Sequence, residues 1–97
     1  MAYVRHGALT GGEPEVVELP ARGFGSVEVL KRTSDANLYF RVLNPGEAAA
    51  IDVTEAGDDC DVLPAGSLSA LQVDSPAEPI TVKLVADIDC DYSIRAS

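Results

Sequence analysis

Apolar and polar residues alternate along most of this chain, most densely over residues 26–42, SVEVLKRTSDANLYFRV. Val27 and Val29 fall on one face of the first run, and Leu38, Phe40 and Val42 on one face of the second. A period of two is what a half-buried strand requires, because successive side chains leave a pleated backbone on opposite sides. Thr33, Ser34, Asp35, Ala36 and Asn37 between the runs are small or turn-forming, and Asn tolerates the left-handed conformation a reversal needs. The pattern predicts a β-hairpin, and its single buried face and two open edges call for further strands.

The rest of the chain supplies them. Residues 15–19 (EVVEL) put Val17 and Leu19 on one face, and Pro20 with Gly23-Phe24-Gly25 ends that strand. Residues 60–63 make a short strand closed by Pro64-Ala65-Gly66, and residues 67–73 (SLSALQV) make another. That one is apolar on both faces, so the pattern leaves its register open. Residues 80–86 (ITVKLVA) send Val82 and Leu84 one way and Lys83 the other, and residues 88–95 form the last strand. Residues 43–59 interrupt the series with Asn44-Pro45-Gly46, a helix-forming stretch of one or two turns over 47–52, and Gly57-Asp58-Asp59. A loop of that length in a small β domain is where function is expected.

Residues 1–14 carry little regular pattern and end in the break Thr10-Gly11-Gly12-Glu13-Pro14. They are expected to form an extended N-terminal arm, mobile or ordered on a neighbouring subunit, in which Tyr3 and Val4 could pair as an edge strand. Seven or eight short strands, with turn signals about every eight to twelve residues, predict an all-β fold. The expected architecture is a small antiparallel β-sandwich or flattened barrel over residues 15–97, preceded by the arm.

Composition agrees with strands. Of 97 residues 46% are hydrophobic, with no Trp and two Phe, so Val, Leu, Ile and Ala do the packing. Sixteen acidic against seven basic residues give a net charge of −9, which disfavours nucleic acid and anionic membranes as partners. No apolar run approaches about 18 residues, and Arg5 and His6 break any signal-peptide layout. Synthesis in the cytoplasm without export by that route is the expectation.

Cys60 and Cys90 are each flanked by two aspartates, Asp59 and Asp61, then Asp89 and Asp91. Negative neighbours raise a thiol pKa, so neither is set up as a nucleophile. Cys60 is in phase with Val62, and Cys90 with Ile88, Tyr92 and Ile94, which points both inward as small apolar residues. Spacing leaves a bridge between them open. The clusters Asp58-Asp59-Asp61 and Asp87-Asp89-Asp91 lack the glycine-punctuated loop and closing Glu of a calcium site, and read as solvated turn charges. His6 has no ligand at metal spacing, no serine sits in a glycine elbow, and no glycine loop opens a helix. The expectation is a non-enzyme with no catalytic residue, metal or cofactor.

The order VEVLKRTSDANLYFRV, variable loop, AGDDCDVLPAG, polar strand, ITVKLVADIDCDYSI resembles small virion proteins of tailed bacteriophages, especially those of actinobacterial hosts. The resemblance rests on Val27, Val29, Leu38, Tyr39, Phe40 and Val42, and on Gly57, Asp58, Asp59, Val62, Pro64, Ala65 and Gly66. Thr81, Val82, Lys83, Leu84, Val85, Tyr92 and Ser93 complete it. It implies a β-sandwich structural protein of the particle, assigned to the head or sometimes the tail. The chain departs from that pattern in its longer 43–56 loop, its cysteines and Ala86-Asp87-Ile88.

The expected role is a capsid decoration or accessory protein on the outer head surface, where a charge of −9 meets no packaged DNA. Its partners would be the major capsid protein or other virion proteins, with a homo-oligomer, a trimer by capsid geometry, as its own assembly. A tail, connector or fibre module contacting other virion proteins or host glycan through loop 43–59 is the alternative. A free regulator acting by acidic mimicry is a third. The contact candidates are Tyr3, Val4 and Arg5 in the arm, and Tyr39 and Arg41 opposite the Leu38-Phe40-Val42 face.

Overall fold

The computed structural model describes residues 3–74 and 77–97. Among them the strands are β1 (Tyr3–Leu9), β2 (Glu15–Glu18), β3 (Ser26–Lys31), β4 (Leu38–Leu43), β5 (Asp61–Leu63), β6 (Ser69–Asp74), β7 (Thr81–Ala86) and β8 (Cys90–Ala96), with one helical turn, α1 (Pro45–Ala48). Two four-stranded sheets form, in the orders β1-β8-β3-β6 and β2-β7-β4-β5. Every pairing is antiparallel. The fold is a small β-sandwich whose sheets do not close into a barrel.

Its core is where the two inner faces meet. Val27, Val29, Tyr92 and Ile94 of the first sheet face Val17, Leu38, Phe40, Val82 and Leu84 of the second, each at most 2% exposed. These are the alternate positions of each run, so the period-two pattern identified the buried faces correctly. Cys90 also points inward at 2% exposure.

The hairpin expected over residues 26–42 does not form. β3 pairs with β8 and β6, β4 pairs with β7 and β5, and residues 32–37 carry the chain from one sheet to the other. Alternation specifies which face is buried and is silent on which strand lies alongside. The crossing is held by Lys31, which continues the inward row of Val27 and Val29 and is 2% exposed. Its Nζ donates to the carbonyls of Ala36 at 2.9 Å, Ser34 at 3.3 Å and Pro64. Three N–H donors meet three acceptors, which is how a buried lysine avoids the desolvation cost of an unpaired charge. Asn37 locks the far end: its backbone N–H and its Nδ2 donate to Asp87 at 2.8 Å, and its Oδ1 accepts from Ala65 N at 2.8 Å.

The stretch expected as an arm is largely strand. Tyr3 to Leu9 pairs residue for residue with Ala96 to Cys90, so the edge-strand alternative is what the backbone adopts. Tyr3, Gly7 and Leu9 supply its inward side, a signal hidden in the sequence by Arg5 and by a glycine with no side chain. Gly7 is required there: a Cβ would lie 2.5 Å from both Cζ and Oη of the buried Tyr92 ring. Phe24 is also inward, 7% exposed, with its ring 6.0 Å from that of Tyr3.

Candidate functional site

The outer faces of the two sheets differ, and the difference begins with loop 44–60. Leu43, Thr81 and Val85 point outward from the second sheet by alternation, yet are at most 8% exposed. The loop covers them. Asn44 and Glu47 start α1 with a reciprocal capping box, which satisfies free N–H groups at the helix start. Arg41 donates to Glu47 Oε2 at 3.1 Å and to the Asp59 carbonyl at 2.9 Å, while Lys83 Nζ donates to the Ile51 carbonyl at 2.7 Å. Val53 is sealed at 4% exposure, and a Cβ added at Gly57 would meet the Tyr39 ring at ordinary contact distance. The long loop is a roof on its own sheet.

Nothing comparable covers the first sheet among the described residues. Its outer face carries Val4 (49% exposed), His6, Ala8, Glu28, Leu30, Ser93, Arg95, Ala70 and Gln72. Arg95 and Glu28 pair across strands at 3.7 Å, and His6 Nδ1 shares a hydrogen bond with Ser93 Oγ at 2.6 Å.

A two-sheet sandwich has four edge strands, and an unguarded edge offers free N–H and C=O groups to any passing strand. Three edges here are guarded. β1 carries Arg5, whose guanidinium lies 4.0 Å from the Glu15 carboxylate, and His6. β2 has four residues, two of them Glu, and β5 has three, including Asp61. β6 is six residues long and has no charge, proline or glycine before Asp74.

The ladder shows which groups β6 leaves free. Ser26 and Ser97 exchange both backbone hydrogen bonds, at 3.0 and 3.1 Å, and Arg32 N donates to Asp91 O at 2.8 Å. Even-numbered residues of β3 therefore bond towards β8, and Val27, Val29 and Lys31 bond towards Val73, Leu71 and Ser69. The N–H and C=O of Ala70 and Gln72 point away from the sheet. Leu71 and Val73 face inward, which resolves the register left open by the sequence, yet Leu71 stays 37% exposed because β5 is too short to cover it. A cleft of about 350 Å³ opens beside them, lined by Arg41, Val42, Asp59, Cys60, Asp61, Val73 and Asp74.

Tyr3, Val4 and Arg5 lie together on β1. Tyr3 is half-buried beneath the Arg22 guanidinium, 5.9 Å from its ring, and Arg5 is tied to Glu15. Tyr39 and Arg41 are half-buried under the roof loop and do not stand open to solvent. The two groups sit on different sheets and form no common patch. The unguarded edge, Ala70 to Gln72, was not among the sequence candidates; its trace was the two-faced apolar run over 67–73.

Cys60 and Cys90 are both free. Burial, then the flanking aspartates, pushes the Cys60 thiol up; burial pushes Cys90 up. Cys60 is half-buried at the cleft and Val62 is 47% exposed, so the inward phase expected for this pair fails where β5 departs from the core. Asp87 accepts from Asn37 and Ile88, and those bonds, the Asn37 side chain first, hold its carboxyl below the usual range. Asp89 accepts from Gly11 N at 2.9 Å. The two acidic clusters line different clefts, and among the described residues no three metal-ligating side chains converge. No family model matches the chain, and no curated protein matches it either.

Proposed function

We propose that this chain is a non-enzymatic accessory protein of a tailed-phage particle, made in the bacterial cytoplasm and seated on the outer surface of the head. The observation that carries the reading is the asymmetry between the sheets: one is roofed by its own loop, and the other offers a bare face and an unguarded edge. A body built that way acts by attachment on one side. The resemblance in strands and turns to small virion proteins supplies the setting, and a net charge of −9 favours the exterior over the DNA-filled interior.

Attached across neighbouring capsid subunits, it adds interface that only the assembled shell possesses. That raises the shell's resistance to internal pressure by mass action. The roof loop is committed to its own sheet through Arg41 and Lys83, which argues against using it for host glycan. Particles assembled without the chain should release DNA at lower temperature than complete ones, and complete particles should hold on the order of hundreds of copies. Equal heat sensitivity rejects the stabilising role, and a handful of copies moves the protein to the tail.

A further inference from the structure

We infer that β6 is a docking edge for an extended, basic segment of a partner protein, which adds to the first sheet as a fifth strand. It deepens the reading above, and rests on it only in assigning that segment to a virion protein. Three observations converge on this edge. Ala70 and Gln72 present unpaired N–H and C=O groups to the open side, the repeat that an antiparallel strand requires. Val73 lines a cleft beside the short β5, and Leu71 on the same face of β6 stays 37% exposed, so an incoming strand finds apolar contact at alternate positions. Leu68, 66% exposed, and Ala70 extend apolar surface on the outer side.

Charge selects the occupant. Asp59, Asp61 and Asp74 line the cleft and are exposed, and the one cation there, Arg41, is already committed to Glu47 and the Asp59 carbonyl. A second copy of this chain would bring another Asp59, Asp61 and Asp74 to the same edge, with −9 on each body. Like charges in apposition oppose that pairing, while Lys or Arg flanking an apolar alternation is attracted to it. The partner segment is therefore an extended apolar strand flanked by Lys or Arg.

The full chain, isotopically labelled, is titrated by NMR with a nine-residue peptide of alternating Val and Thr carrying Lys at both ends, and in parallel with its Glu-ended counterpart. The expected result is shifting and exchange protection of the Ala70 and Gln72 amides with the basic peptide alone. Gln72→Pro removes the outward N–H without touching the β3 ladder, and should weaken binding at least tenfold. Leu71→Lys is the second variant; an inward lysine at an edge blocks addition, and at this exposed position its head reaches water. Equal binding of the two peptides, shifts confined away from β6, unchanged affinity in a folded variant, or self-association through β6 would each overturn the inference. Heads lacking the chain separate the two claims. If wild type and Leu71→Lys add to them equally, the docking edge is wrong and decoration stands. If neither adds while the basic peptide binds β6, decoration is wrong and the edge stands.

Discussion

Lys31 ties two turns to the core from an inward strand position. It occupies a core position, 2% exposed, and its three donors are matched by carbonyls of residues 34, 36 and 64, which belong to two separate turns. Lys31→Met keeps the length and apolar stem but leaves those carbonyls without this donor. The expected loss is about 2–3 kcal/mol in urea unfolding, and a neutral effect would mean that the crossing is held by packing alone. In the sequence it lies unmarked between the Val27-Val29 alternation and the turn residues 33–37. Its role depends on Pro64, about thirty residues away, which no local pattern reveals. Tyr92 is the converse case. Its inward phase was legible, but its Oη is buried without a hydrogen bond and its ring rests on Gly7, a partner that only the β1–β8 register supplies.

At the level of elements, the seven strands from β2 to β8 were legible as short turn-bounded runs, β1 was expected as an arm, and the pairing of the strands was not legible. β3 and β4 are the sharpest instance, since adjacent runs with matching alternation fit a hairpin and a sheet-to-sheet crossing equally well. The roof loop illustrates the same limit. Its capping box could be read from Asn44-Pro45-Gly46-Glu47, but not its seat on Leu43 and Val85. Arg41 is the main side-chain tie at both ends of that roof, so Arg41→Ala should loosen it locally. Hydrogen exchange over residues 45–59 should quicken, with less than about 1 kcal/mol lost globally, because the Glu47 pair is partly exposed. Unchanged exchange there would show that apolar contact alone seats the loop.

The whole molecule is a thin acidic body, 33 × 28 × 18 Å, with −9 spread over it. Of its seven cations, Lys31 is buried and Arg5, Arg41, Lys83 and Arg95 face carboxylates, so the remaining acids largely repel one another. Screening that repulsion should stabilise the fold. Raising sodium chloride from about 10 to 500 mM is expected to lift the calorimetric midpoint by about 2–5 °C. A falling midpoint would mean that the surface ion pairs outweigh the net charge. The same salt should weaken any basic strand bound at β6, which separates association from folding in one titration.

The order of residues by itself determined the fold class of this protein: alternation and turn chemistry are local, so most strands and most buried faces were readable. Neighbourhood was decided in three dimensions. Which strand lies beside which, which sheet is roofed and which edge is left unguarded depend on contacts between distant segments, and the free energy of those contacts is not written in any short window of the chain.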